Sequence, residues 1–340
     1  MPRAGKPRVA PLSVPPRGPL VMNPKNVLDY FECLGVNSLC AGRTSEIAMI
    51  RSPFSEGAWK NLRLHKYARS IANWIVARST DRARRRLSAM GRIKILVDNT
   101  TLGHAITHET AWIQGRKGMS AGPTESGYLA RIPVHSKASD PIIYRNVRYL
   151  AGIAHLGRQG FIELRTSAEL LDEQFRQPSG RFVGYGLFDL NLFAGVEIRS
   201  IDGYSFSRPD PYFPRKSPPV EQQRTRLKAR EADPTYAALL KHLGNKNSQD
   251  TWHLLTAERH EMFCFLTMDF AFSNNVKAQI KSSPLAAFKT LVLTPEEFGK
   301  LFLLRPVSPK LLSFGGDSAP IRIDHSMPLG KRRSLKDYRR

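Results

Sequence analysis

Four acidic residues occupy positions from which they could bind one divalent metal ion: Asp98, Glu173, Asp250 and Asp269. Oxygen ligands suit Mg²⁺ or Mn²⁺, which bind through a few carboxylates and keep water molecules that a phosphate can displace. Carboxylates crowded together repel one another unless a cation neutralises them. The four residues therefore indicate a metal site, provided that the fold brings them together.

Two of these acids follow apolar runs that are typical of buried strands. The run IKILV stops abruptly at Asp98, and the run FCFLTM stops at Asp269. Strands and helices alternate along this part of the chain, which predicts a mostly parallel sheet. Ligands bind outside the carboxyl ends of such strands, so both carboxylates are expected at the same edge.

Asp250 is expected at this edge for a different reason. It lies in the first turn of the predicted helix SQDTWHLLTAERH, which Ser248 or Asn247 would cap. A helix that crosses between parallel strands runs antiparallel to them, so its first turn lies at their carboxyl ends.

Glu173 lies in TSAELLDEQFR, the predicted helix that leaves the strand FIELR. Thr166 and Glu169 have capping-box spacing, which gives Glu169 a structural role, and Glu173 follows one turn later on the same face. Glu169 and Asp172 stay alternatives to Glu173. Each acid also has an ordinary interpretation, in which Asp250 favours the helix dipole, Asp269 opens a turn and Glu173 is a surface residue.

The elements around these residues predict an α/β fold, a Rossmann-like three-layer sandwich with a mostly parallel sheet and a helical basic N-terminal extension. Further segments read as the strand KTLVLT and as helices: IIYRNVRYLAGIAHLG, with a stop at Gly157; DPTYAALLKHLG, capped by Asp233; and PEEFGKLF, capped by Thr294. The clearest helix is KYARSIANWIVARSTDRARRRLSAM. Its expected features are an apolar stripe of Tyr67, Ile71, Trp74 and Ile75 and a basic end of Arg82, Arg84, Arg85 and Arg86, which could lie along a phosphate backbone.

The domain organisation follows from changes in composition. We expect a disordered basic, Pro-rich tail at 1–21, a helical basic extension at 22–91, a main domain at 92–305 and a basic C-terminal tail at 306–340. Weak periodicity with several Pro and Gly residues predicts an insertion around 178–232. The stretch QGRKGMSAGPTESG is expected to be a loop.

Charge favours a polyanionic partner. The net charge is +23, and residues 1–91 alone hold 16 Lys and Arg against 5 Asp and Glu. Clustered cationic charge attracts nucleic acid through counterion release, although such tails can also be merely solvated. No run of 18 apolar residues and no secretory signal is present, and the three cysteines are widely spaced, without the pairing of a zinc site. These features predict a cytoplasmic protein with no membrane span.

The motifs resemble those of the PIN-domain nucleases, in the family's order. They cover roughly residues 93 to 304 and are ILVDNTTL, TSAELLDE, SQDTWHLLTAERH, FCFLTMDFAF and LVLTPEEFGKLF. The resemblance implies a metal-dependent ribonuclease that hydrolyses phosphodiester bonds, often in single-stranded RNA, with one or two Mg²⁺ or Mn²⁺ ions. It implies that Asp98, Glu173, Asp250 and Asp269 are the catalytic metal ligands, with Thr100 and Asn274 as polar helpers. DNA as substrate and an inhibitory protein partner, as for a toxin, stay open.

The sequence departs from the compact members of this family. The gaps on either side of Glu173 are longer, and the N-terminal ninety or so residues have no counterpart in the minimal domain. The alternative is a non-catalytic nucleic-acid-binding or regulatory protein on a degenerate PIN fold. A Rossmann dinucleotide site is not indicated, because DNTTLG does not supply the Gly-rich turn.

Other residues have simpler interpretations. His104 and His108 in GHAITHE would lie one helical turn apart, and we favour a structural or substrate-contact role over a metal site. His253 and His260 share a helix face and are expected to be packing or surface residues. Trp112, Tyr144 and Tyr149 could stack on bases, although such aromatic residues usually belong to the core.

Overall fold

The computed structural model describes residues 68–114, 127–178, 181–182, 184, 186, 189–202, 219–312 and 318–321. The predicted tail at 1–21, residues 22–67 of the predicted extension, most of the predicted loop QGRKGMSAGPTESG, and residues 313–317 and 322–340 of the predicted tail at 306–340 lie outside these residues.

The described helices and strands have the following bounds. The helices are α1 Ala68–Ser79, α2 Asp81–Met90, α3 Asn99–His104, α4 Pro141–Arg158, α5 Ala168–Arg176, α6 Pro219–Glu231, α7 Pro234–Leu243, α8 Ser248–Arg259, α9 Phe270–Gln279 and α10 Pro295–Leu301. The strands are β1 Ile93–Val97, β2 Ile106–Gln114, β3 Gly127–Pro133, β4 Ile162–Thr166, β5 Leu190–Asn191, β6 Ile198–Ser200, β7 Cys264–Leu266, β8 Leu291–Leu293 and β9 Ser318–Ile321.

The central sheet has five parallel strands in the order β6-β4-β1-β7-β8. The chain builds outward from β1 through β4 to β6, then returns to the other side of β1 for β7 and β8. The order thus reverses at β1, and in sheets of this kind the crevice at the reversal is where ligands bind. The predicted α/β class and parallel sheet are confirmed. Residues 198–200, inside the region predicted as an insertion, extend this sheet as β6.

Helices cover both faces of the sheet. In β1, Ile95 and Val97 pack into one apolar cluster with residues of α1, α2, α4 and α10, whereas Leu96 packs into a second cluster with residues of α5, α7, α8 and α9. Because both faces are buried, the strands are apolar at successive positions instead of alternating. The architecture is consistent with a Rossmann-like sandwich.

A second sheet was not predicted. It is antiparallel, with the order β5-β2-β3-β9. The helical interpretation of GHAITHE is wrong, because α3 ends at His104 and β2 begins at Ile106. His108 is buried in β2, where burial, together with the charge of Arg131, lowers its pKa to about 4. A neutral, enclosed imidazole of this kind is a core residue.

Three local expectations are also corrected. The predicted N-terminal helix is two helices that meet at Thr80, and Trp74 is 61% exposed instead of lying in an apolar stripe. Gly157 does not stop α4, which continues to Arg158. A Cβ at Gly157 would come within 3.1 Å of the Val196 side chain, so this glycine permits close packing. By contrast, the caps predicted at Asp233 and Thr294 are confirmed, the latter as a full capping box.

Within the described part of the chain, no helix is long and apolar enough to cross a membrane. The cytoplasmic location stays a prediction.

Replacing Gly299 with Ala is expected to destabilise the fold, because α10 packs closely against α4 at this glycine. An added Cβ would lie 2.1 Å from Cδ1 of the Tyr149 ring, which cannot move aside without disturbing the core. We expect a loss of about 1–3 kcal/mol in the free energy of unfolding, measured by urea denaturation. Gly103→Ala is the matched control, since its Cβ would meet only Phe182 at 3.8 Å and Ala favours a helix. Equal stability of the two variants would contradict the packing described.

Candidate acidic site at the carboxyl edge of the central sheet

Asp98 lies at the point where the strand order reverses. Its backbone N–H donates to Leu266 O at 3.0 Å, which ties the end of β1 to the end of β7. Its side chain is 3% exposed, and Oδ2 accepts hydrogen bonds from Oγ1 of Thr267 at 2.6 Å and from Oγ1 of Thr100. Burial raises the pKa of Asp98, and the two hydroxyl donors oppose that rise. Its Oδ1 accepts no hydrogen bond from any described residue.

Thr100 and Thr267 connect the two strand ends. Met268 N donates to Oγ1 of Thr100 at 3.1 Å, and Asp269 N donates to Oγ1 of Thr267 at 2.9 Å. The predicted polar residue Thr100 therefore lies at the site. Thr267 was missed, although its position two residues before Asp269 places it beside the strand end.

Asp269 is the N-cap of α9, and its Oδ1 accepts from Phe272 N at 2.9 Å. This cap fixes one carboxylate oxygen and leaves the other without a hydrogen bond from the described residues. Asn274, the other predicted polar helper, is exposed on α9, and its side chain forms no hydrogen bond with the described residues.

Asp250 lies in the first turn of α8, as predicted. Asn247 occupies the N-cap position but makes no capping hydrogen bond there. The Asp250 carboxylate also accepts no hydrogen bond from the described residues, despite being partly buried. Burial raises its pKa to about 7, and three negative charges act in the same direction, those of Asp98, Asp269 and Glu173. The positive charge of His253 opposes them. The fold thus brings all four predicted acids into electrostatic contact, together with His253.

Glu173 reaches the site from α5 and is held by donors from two other helices. Oε1 accepts from Nε2 of His253 at 2.8 Å and from Nε2 of Gln249, and Oε2 accepts from Nδ2 of Asn99 at 2.7 Å. Burial opposes ionisation of Glu173, but these three donors lower its pKa below the ordinary value. A carboxylate has about four lone-pair positions, so one is left for a further ligand.

His253 belongs to this site, contrary to the expectation that it is a packing or surface residue. It is 1% exposed, one turn after Asp250 on α8. Burial opposes its protonation, but the hydrogen bond to Glu173 and the nearby acids raise its pKa above the ordinary value. Its spacing of three from Asp250 was the sequence signal that could have placed it on the same helix face. His260 is exposed at the end of α8.

Glu169 and Asp172, the alternatives to Glu173, have a different partner. Arg226 of α6 forms an ion pair with each of them. Its Nε lies 2.8 Å from Oε1 of Glu169, and its Nη2 contacts Oδ2 of Asp172. The capping box predicted for Thr166 and Glu169 is wrong, because Ser167 is the N-cap and its Oγ accepts from Leu170 N. Among the three acids of α5, Glu173 accepts hydrogen bonds from Gln249 and His253, which lie on either side of Asp250 along α8.

The donor set fits a hard divalent cation that keeps part of its hydration shell. All four acids offer oxygen, and Asp98 and Asp250 have oxygens with no hydrogen bond from the described residues. The side chains do not form a closed cage, since no three His, Cys, Asp or Glu residues in the described ranges are grouped closely enough to hold a metal ion. Mg²⁺ typically binds through one or two carboxylates and several waters, which such an open arrangement can accommodate.

Together these features define an α/β protein with an acidic site at the carboxyl edge of its parallel sheet. In comparisons with known proteins, no family model, no curated protein and no solved structure matches the chain.

Proposed function

We propose that the protein is a metal-dependent endoribonuclease with a PIN-like fold, which hydrolyses phosphodiester bonds of single-stranded RNA with Mg²⁺ or Mn²⁺. The observation that carries this proposal is the state of Asp250. Its carboxylate is partly buried, accepts no hydrogen bond from the described residues and has a pKa raised to about 7 by burial and by three neighbouring acids. A divalent cation would relieve this repulsion.

The chain's own residues divide into metal ligands and residues that position them. Asp98, Glu173, Asp250 and Asp269 would hold the metal. Thr100 and Thr267 fix one oxygen of Asp98, and His253, Gln249 and Asn99 orient Glu173. Loss of a residue that orients a metal ligand in this way commonly reduces metal affinity or activity by about 10–100-fold. When bound, the metal would activate a water and stabilise charge on the leaving oxygen.

Charge supports a nucleic acid as the substrate, and the resemblance to the PIN-domain nucleases favours RNA. The net charge of +23 favours a polyanion, and phosphodiester oxygens are the ligands that a hydrated Mg²⁺ or Mn²⁺ accepts most readily in exchange for water.

The proposal is tested by incubating the protein with end-labelled single-stranded RNA in Mn²⁺, in Mg²⁺ or in EDTA. Cleavage is expected in either metal and not in EDTA, and Asp98→Asn and Asp269→Asn are each expected to reduce the rate at least about a hundredfold. Asp172→Asn, which alters an acid paired with Arg226, serves as the control for charge alone. A parallel reaction with single-stranded DNA distinguishes the two substrates. Salt-sensitive RNA binding without cleavage in either metal would favour the non-catalytic alternative.

A further inference from the structure

Helices α1 and α2 carry an unusual excess of positive charge. Residues 68–90 contain six arginines and a single acid, Asp81. Three of these arginines, Arg69, Arg82 and Arg85, are exposed and form no hydrogen bond or ion pair with the described residues. Unpaired arginines on a helix surface attract phosphate groups, which they can bind through two parallel hydrogen bonds.

Trp74 lies in the same pair of helices with its ring in solvent. It is 61% exposed, the most exposed of the large hydrophobic residues that the structure describes. The Arg78 guanidinium, one turn later on α1, lies over the indole with its Cζ 5.7 Å from the ring centroid. Arg78 also bonds to Asp81, which in turn pairs with Arg84 on α2. The ring is thus held from one side by an arginine network, while most of its surface is open.

We propose that Trp74, with Arg78, Arg82 and Arg85, forms a binding surface for single-stranded nucleic acid, which we name the Trp74 surface. An unpaired base stacks on the open side of the indole, and the exposed arginines of α2 bind the backbone phosphates that follow. Aromatic rings recognise bases of any type in this way, and arginines supply the electrostatic attraction. A buried core role does not explain an indole that is mostly in solvent.

The surface lies outside the acidic site. Helices α1 and α2 precede β1 in the chain, and their residues form no hydrogen bond with the four acids. This inference deepens the proposed ribonuclease function, since it assigns the binding of unpaired substrate to a place separate from hydrolysis. It does not require that hydrolysis occur.

The test measures binding of a fluorescein-labelled 12-nucleotide oligouridylate by fluorescence anisotropy in EDTA, over a range of salt concentrations. Trp74→Ala is expected to weaken binding about tenfold with an unchanged salt slope, and Trp74→Phe to retain most of it. The double variant Arg82→Gln, Arg85→Gln is expected to lower the salt slope by about 1.4, the value for two lost phosphate contacts. Ile280→Ala, which removes an exposed apolar residue of a different helix, is the control and should bind as wild type.

Wild-type affinity in Trp74→Ala would overturn the inference, as would an equal loss in Trp74→Ala for a fully double-stranded RNA, whose bases are already stacked. Circular dichroism of each variant confirms that the fold is retained. Because EDTA removes the metal, failure here and failure of the proposed function are distinguishable: a protein that cleaves RNA but binds it independently of Trp74 loses only this inference.

Discussion

Asp250→Asn is expected to abolish RNA cleavage and at the same time to stabilise the metal-free protein at pH 8. In the proposed site the Asp250 carboxylate is a metal ligand. Without a bound cation, its negative charge is repelled by those of Asp98, Asp269 and Glu173. The amide keeps the shape of the side chain and removes the charge. We expect cleavage in Mn²⁺ to fall at least about a hundredfold.

The direction of the stability change follows from the raised pKa. Asp250 has an ordinary pKa of 3.8 and a pKa of about 7 in the folded protein, so the folded state binds this proton more tightly than the unfolded state. The free energy of unfolding therefore falls as pH rises from about 4 to 7, and the penalty is complete above that range. Asp250→Asn removes it, so the variant should be more stable than wild type by about 1–3 kcal/mol at pH 8, allowing for solvent screening, and nearly equal at pH 4.

Urea denaturation of both proteins in EDTA at pH 4 and pH 8 measures this difference. Glu169→Gln is the control, because Glu169 is paired with Arg226 and its loss should not stabilise the protein at either pH. A variant less stable than wild type at pH 8 would show that Asp250 is compensated in the native protein, contrary to the account.

Glu173→Gln is expected to reduce cleavage strongly, whereas Glu169→Gln is not. Glu173 accepts hydrogen bonds from three donors around Asp250, and a glutamine amide would present its own N–H group to at least one of them. We expect the rate constant for cleavage to fall about a hundredfold or more. Glu169 lies one turn earlier on α5 and contacts Arg226 instead, so Glu169→Gln should stay within about threefold of wild type.

Both substitutions are expected to lower stability, by about 1–3 kcal/mol each, since each leaves a partly buried donor without its charged partner. Rates are therefore compared well below the unfolding temperature of either variant. An equal loss of cleavage activity in Glu173→Gln and Glu169→Gln would mean that both substitutions act only by destabilising the protein. A larger loss in Glu169→Gln would reverse the assignment of the acid.

The site residues that could be predicted from the sequence are those whose positions are determined by the strands of the sheet. A run of apolar residues followed by an acid places that acid at a strand end, and parallel strands bring such ends to one edge, so Asp98 and Asp269 could be located without coordinates. Asp250 followed from the direction of a crossover helix. In each case the position depends on local sequence and on a general rule of topology.

The parts that sequence missed depend on contacts between distant segments. Nothing near Glu169 or Asp172 reveals that Arg226, more than fifty residues away, pairs with both. In the sequence, His253 has the pattern of an ordinary packing histidine, and its role depends on the hydrogen bond to Glu173, which comes from a distant segment. The antiparallel sheet was missed because its strands are spread over the chain: β2 pairs with β3 and β5, and β3 pairs with β9. The exposure of Trp74 likewise depends on which face of α1 packs against α4, which an apolar stripe alone did not determine.

The most direct test of the central claim is the number of Mn²⁺ ions bound per protein molecule, measured by electron paramagnetic resonance of the free ion. We expect wild type to bind one or two ions, and both Asp98→Asn and Asp250→Asn to lose at least about tenfold in affinity. Asp172→Asn should bind as wild type, because its carboxylate contacts Arg226. No binding at millimolar Mn²⁺, or binding that is unchanged in both site variants, would contradict a metal site at the acidic edge.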